Sequence, residues 1–243
     1  MKKVSIITTT YNDSANLRKT IQQVEAQDYE NIEYIIVDGA SKDDTLQVIA
    51  EAKERFGDRL VWISEKDSGI YDAINKGLRL ATGDFIGLCF DQFASPDVIS
   101  KMVSIIEKEG TDGVHGDLDY VDGEKIVRKW RQGQGNIRTG WMPGHPTLYL
   151  KKEVYETYGF YKTDYRISAD YEYMIRILKD GKVKLSYIPE VLIKMFHGGT
   201  STNGLGAYLE GLKEGHRALK ENGVKFAFVT DLLRILRVLR QFV

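Results

Sequence analysis

At 243 residues, with 42% apolar and 28% charged side chains, the chain can bury a sizeable core as one α/β domain with appendages. Its formal net charge of -1 offers no global field for nucleic acid, and a single cysteine, Cys89 in an apolar run, excludes a disulfide framework. No stretch approaches the roughly 18 to 20 apolar residues of a spanning helix, and the start lacks a signal-peptide core, so the expected location is the cytosol, including the inner face of the membrane.

The first strand reads Val4-Ser5-Ile6-Ile7 and runs into the hydroxyl-rich turn Thr8-Thr9-Thr10-Tyr11-Asn12-Asp13. A helix follows from Asp13 or Ser14, burying Leu17, Ile21 and Val24. The second strand, Ile32 to Val37, ends in Asp38-Gly39-Ala40-Ser41. Ser41 and Asp44 are spaced as a capping box for a second helix that buries Leu46, Ile49 and Ala52. A third strand spans Leu60 to Ser64. The clearest helix follows it: Ile70, Ala73, Ile74, Gly77, Leu78 and Ala81 form one stripe, with Asp72, Asn75, Lys76 and Arg79 on the other face.

Phe85 to Phe90 is apolar throughout, as a central parallel strand should be, and ends at Asp91-Gln92. Pro96 opens a helix. Gly113 to Val121 and Lys125 to Trp130 pair as a hairpin around Asp122-Gly123, and residues 132–136 form a glycine-rich loop. Thr147 to Leu150, a short helix, a helix from Ala169 to Lys179 and a strand near Lys184 to Ile188 complete the body. One domain is the simplest account: residues 1–203, with a nucleotide-binding half to about residue 93 and an acceptor-side half beyond it. Residues 204–243 form a helical appendage.

Strand-helix-strand units build a parallel sheet whose ligands sit at the carboxyl ends of the strands. Here those ends carry a hydroxyl-rich aromatic turn and a lone carboxylate, which suit a base and ribose better than a glycine-wrapped pyrophosphate. Four segments then occur in order: Val4 to Asn12, Ile36 to Thr45, Asp67 to Gly77 and Ser168 to Glu172. Together they resemble the motifs of family 2 glycosyltransferases, and the likeness runs from residue 4 to about residue 203. The resemblance implies a GT-A-like three-layer α/β/α domain around a mostly parallel sheet. It also implies transfer of a sugar from a nucleoside diphosphate donor, with inversion, to a sugar or lipid-linked acceptor in cell-surface polysaccharide or glycolipid assembly.

The resemblance places Thr9, Tyr11 and Asp38 at the base. Tyr11 offers a ring to stack, and Asp38 can accept an imide N–H or simply shape the turn with Gly39. Asp67, Asp72 and Asn75 fall beside the donor, where helix capping is the plainer role. Asp91 stands where the family has its Asp-x-Asp-like motif, which holds ribose and a divalent cation, Mg²⁺ or Mn²⁺. Gln92 replaces an expected acid there, so metal dependence is weaker than the family pattern. Asp170 matches the base that takes the acceptor's proton, the alternative being a helix N-terminal acid. His145 and Glu172 map to the acceptor side. His197 stands where the family more often has Arg before Gly-Gly, as a substituted diphosphate contact.

In the tail, Leu232, Ile235, Leu236, Leu239, Phe242 and Val243 share one helical face and Arg234, Arg237 and Arg240 the other. Such a helix lies on an anionic membrane surface, or docks on its own domain or a second subunit in a homo-oligomer. Two rival functions stay open: a degenerate homologue that binds a nucleotide without turnover, and a sugar nucleotidyltransferase, against which the glycine-free turn from Thr8 to Asn12 speaks.

Overall fold

The computed structural model describes residues 1–196, 204–239 and 241. Strand β1 (Val4–Thr10) lies between two parallel neighbours, β2 (Ile32–Asp38) and β4 (Phe85–Leu88), and β3 (Leu60–Ser64) extends the parallel set beyond β2. The remaining strands are β5 (Gln92–Phe93), β6 (Gly113–Asp122), β7 (Lys125–Trp130), β8 (Tyr149–Lys151) and β9 (Leu185–Phe196). The sheet order is β3-β2-β1-β4-β8-β6-β9-β5, with β7 paired to β6. Short β8 runs antiparallel to both β4 and β6 and joins the parallel N-terminal half to a mixed second half.

Alternation along the strands builds two cores, because successive side chains of a strand point to opposite faces. Ile6, Tyr34 and Ile36 pack with α1 (Ser14–Glu25), α2 (Thr45–Phe56) and α4 (Val98–Glu109). Ile7, Ile35 and Val37 pack with α3 (Ile70–Leu80), α5 (Lys152–Tyr158) and α6 (Ala169–Leu178). The result is the expected three-layer α/β/α arrangement. Cys89 is the buried thiol expected, and burial pushes its pKa up.

Several local expectations are corrected. The fourth strand stops at Leu88 rather than Phe90. The last strand continues from Leu185 to Phe196 alongside β6, with a register shift where Pro189 and Glu190 are looped out between Ile188 and Val191. A proline cannot donate to the ladder, so it sits naturally in such a bulge. Helix α2 begins at Thr45 without the Ser41 cap; Asp43 accepts the Thr45 N–H at 3.1 Å instead. Val48 replaces Leu46 in its buried face, Leu46 being exposed. On α3 Ile70 is exposed, while Tyr71 and Asn75 face inward.

The appendage consists of α7 (Gly204–Glu221) and α8 (Ala227–Leu239), and α8 docks on its own domain, one of the alternatives the sequence leaves open. Arg234 sits over the Tyr171 ring at 4.3 Å, and Arg237 donates to the Thr139 carbonyl at 3.0 Å, so the arginine face meets the domain. Phe228, Val229, Leu232 and Leu236 face solvent. Any membrane or second subunit would therefore meet an apolar surface here rather than an arginine-bearing one. Arg240, Phe242 and Val243 lie outside the described residues.

Candidate active site

The carboxyl ends of β1 and β2 are tied into one rim. Asn12, with φ +48, donates its N–H to Ser41 Oγ at 2.8 Å and accepts the Lys42 N–H at 2.8 Å. Ala40 also takes a positive φ, +64. At this rim Tyr11 is exposed and Thr9 half-buried. Gly39 allows the closest approach: a Cβ there would meet Asp67 Oδ2 at 2.6 Å and Tyr11 at 3.2 Å. The missing side chain thus lets Tyr11 and Asp67, both expected on the donor side, close on the same point of the rim. Asp67 also accepts the Gly69 N–H at 2.9 Å, which fixes the turn before α3.

Three other residues expected at the donor make polar contacts within the protein. Asp38 is fully buried; it accepts Ser41 Oγ, the Ser41 N–H at 3.0 Å and Ser64 Oγ at 2.6 Å, so it shapes the turn. Asp72 accepts the Ser68 N–H at 3.0 Å and lies 3.7 Å from Lys76 Nζ, the helix-end role. Asn75 was expected on the polar face of α3, but it is buried and clasps Tyr161: its amide donates to the carbonyl at 2.8 Å and accepts the N–H at 3.0 Å. A buried amide needs both ends satisfied, and one tyrosine backbone unit does this.

Asp170 stands in the first turn of α6, half-buried, and borders a cavity of about 720 Å³. The Tyr71 hydroxyl lies 3.1 Å from Asp170 Oδ1 and 2.5 Å from the Ile167 carbonyl, linking α3 to the start of α6. Burial, and secondly the Asp170 charge, raises the Tyr71 pKa, so the phenol stays a proton donor. Glu214 of α7 fixes the same segment from behind: its carboxylate accepts the N–H groups of Arg166 (2.6 Å), Ile167 (2.9 Å) and Ser168 (2.8 Å). Sequence reasoning missed Glu214. The available signal was its place among Gly211, Gly215 and Ala218, small residues at helical spacing that mark a packed face, Gly211 toward the start of α6 and Gly215 toward Arg234 of α8.

Asp91 follows β4 and accepts the Phe196 N–H at 3.3 Å. Burial pushes its pKa up to about 6, the signature of a carboxylate short of a partner. Among the described residues there is no group of three or more His, Cys, Asp or Glu able to hold a metal ion. Asp91 alone would offer a carboxylate to a divalent cation here, which fits a weakly held ion and not an all-protein cage. Tyr120, also missed, lies within the field of both acids: after burial and the opposing Arg128, the charges of Asp91 and Asp170 raise its pKa.

The acceptor-side expectations divide. His145 bonds the Tyr161 hydroxyl at 2.8 Å, and burial holds its imidazole below the usual range. Glu172, expected to face an acceptor, is fully buried and pairs with Arg176 at 2.8 Å and Lys162 at 3.3 Å. Residue 172 follows 170 by two positions, which turns it to a different helix face. His197 and residues 198–203 lie outside the described residues.

His115 organises the loop beside the cavity. It is fully buried, its Nδ1 lies 3.1 Å from Gln132 Oε1, and Gln132 also accepts the Gly144 N–H at 2.7 Å and, through its carbonyl, Trp141 Nε1 at 2.9 Å. Burial holds the imidazole down at about 4, so the folded chain keeps it neutral while the unfolded chain binds a proton below the ordinary histidine pKa of 6.5. Stability is expected to fall as pH drops from about 6.5 to about 4, by about 3 kcal/mol at full shift. His115→Gln should remove that part of the slope. Parallel stability curves for wild type and variant in urea at pH 7 and 4.5 would refute the assignment.

A three-layer α/β domain with a crevice at its parallel strand ends and a carboxylate at a facing helix start has the layout of GT-A glycosyltransferases. The model of the family Glycosyl transferase family 2 matches residues 5–168, and the chain belongs to that family. It is 28% identical over 208 residues to a PGL/p-HBAD biosynthesis glycosyltransferase of Mycobacterium bovis BCG, covering 82% of this chain and 78% of that protein. An uncharacterized glycosyltransferase of Mycobacterium tuberculosis is 29% identical over 191 residues, 71% of this chain and 68% of its own. Among solved structures, the mannosyltransferase PcManGT of Pyrobaculum calidifontis with GDP-Man and Mn²⁺ superposes with TM-score 0.70 at 18% identity, covering 97% of this chain and 71% of that one. S. aureus TarS 1-349 with UDP-GlcNAc gives TM-score 0.71 at 14% identity, covering 99% and 72%. At those identities the likeness is one of fold. Among the described residues, no helix is long and apolar enough to cross a membrane.

Proposed function

We propose that this glycosyltransferase moves a sugar from a nucleoside diphosphate donor to a hydroxyl acceptor with inversion, Asp170 taking the acceptor's proton. The observation that carries this is the placement of Asp170: half-buried, open to the cavity, held by Tyr71 from α3 and, through the chain before it, by Glu214 from α7. A base needs a fixed carboxylate within reach of a bound hydroxyl, and both clamps serve that end. Tyr11 and Thr9 offer the crevice a ring and a hydroxyl for the nucleoside, with Asp67 across it toward the ribose and diphosphate. In inversion the acceptor oxygen attacks opposite the leaving nucleotide, so base and donor must flank the sugar; Tyr71, which holds Asp170, stands on the helix that Asp67 precedes.

Asp91 would hold a divalent cation, which supplies Lewis-acid stabilisation of the departing diphosphate when bound. With one protein carboxylate, binding should rest largely on the chain's own contacts. Titration calorimetry with UDP- and GDP-sugars, each with Mn²⁺ and with chelator, is expected to show measurable binding without metal and a modest gain with it. Slow hydrolysis of the bound donor should accompany it. Failure of every sugar nucleotide to bind under both conditions would overturn the donor reading. Tight binding only with Mn²⁺ would mean that further ligands complete the metal site.

A further inference from the structure

We propose that the acceptor carries an apolar aglycone, seated in the cavity beside Asp170 and walled on one side by the appendage helices. The proposal rests on Asp170 being the base. The cavity, about 720 Å³, lies within the size range of small-molecule sites. Its walls are Trp130, Trp141 and Met142 on the domain side and Leu212, Ile235 and Val238 from α7 and α8. A bare sugar could bond the polar part of the lining, such as Gln132, Tyr208 and Gln241, but would leave these six apolar side chains uncovered. An amphipath instead places its sugar hydroxyl at Asp170 and its apolar part on the aromatic and aliphatic lining.

Charge narrows the class further. Lys129, Arg131, Arg234 and Arg237 line the cavity, and among the described lining residues Asp170 is the sole acid. Arg131 is already paired with Asp119 at 2.7 Å, and Arg234 lies 3.6 Å from Asp231, yet the balance disfavours a cationic aglycone and accepts a neutral or anionic one.

The α8 wall is built into the domain. A Cβ on Gly140, which has φ +70, would meet the Arg234 backbone nitrogen at 2.4 Å, so only glycine lets the loop touch the helix. Thr230 Oγ1 donates to the Arg138 carbonyl at 3.2 Å, about two turns before the Arg237 contact with Thr139. The helix thus belongs to the site, and its truncation would unmake the cavity.

The probe is 1-anilinonaphthalene-8-sulfonate, an apolar ring system with one negative charge, read by energy transfer from the lining Trp130 and Trp141. Saturable binding at one site per chain is expected, displaced by octyl glucoside below its micelle threshold and not by glucose. Val238→Asp should weaken the probe at least tenfold, while Leu232→Asp on the solvent face of α8 should not. Equal displacement by glucose, or loss on Leu232→Asp with none on Val238→Asp, would overturn the proposal; the displacement series needs no variant. Nucleotide titration of the same protein separates the two readings. If the nucleotide binds and the probe does not, the cavity proposal alone fails; if the nucleotide fails as well, the site reading beneath it fails.

Discussion

Asp170→Asn is expected to lower transfer by about 10² to 10⁴-fold while leaving nucleotide affinity and folding nearly unchanged. The amide keeps the size of the carboxylate and removes its ability to accept a proton. Tyr71 can still donate to the amide oxygen, so the contact at 3.1 Å survives in the variant. Ser168 and its neighbours remain bound to Glu214, so the start of α6 should not shift. The rival role for Asp170, an acid favoured by the helix N-terminus, is worth roughly 0.3–1 kcal/mol and predicts a small loss of stability with normal turnover. Single-turnover rates beside urea midpoints separate the two. Near-normal turnover would remove Asp170 as the base.

Glu172→Ala should cost about 3–5 kcal/mol of stability, the range for breaking a buried ion pair by deleting one partner. The Glu172 side chain is fully buried and gathers Arg176, Lys162 and, at 3.1 Å, the Asn222 amide. Arg176 is held by the Tyr158 and Phe160 carbonyls as well, so it cannot swing to solvent when its carboxylate is lost. The deletion therefore strands a charge between α5 and α6. Equilibrium unfolding with an unchanged denaturant slope and a lowered midpoint is the expected result. Per folded molecule, turnover should change far less than in Asp170→Asn. Unaltered stability with lost acceptor affinity would restore the acceptor role read from the sequence.

Both cases turn on which helix face a carboxylate occupies. Asp170 and Glu172 stand two apart in one acid-rich motif, and the sequence reading sends both to the reacting sugars, one as base and one on the acceptor side. Packing ranks them: Glu172 turns into the core beneath Arg176, while Asp170 borders the cavity. The same holds for Asp72 and Asn75, which spacing put on one polar face and the structure divides between a helix cap and a buried clasp.

By itself the sequence determined the strand-helix alternation of the N-terminal half, the hairpin of β6 and β7, and membership of a glycosyltransferase family. These rest on local periodicity and on motifs whose residues are close in the chain. Tertiary structure decided that Asp38 closes its own turn, that Glu214 reaches back across 46 residues to Ser168, and that the arginine face of α8 turns inward. It also placed an apolar cavity between elements nearly a hundred residues apart, where the Thr139–Arg237 contact spans 98 positions. The reason is physical: a helical wheel records which residues share a face, whereas the choice of face to bury depends on what the other elements present. Here Tyr171 offers a ring for Arg234, and the Thr139 carbonyl an acceptor for Arg237.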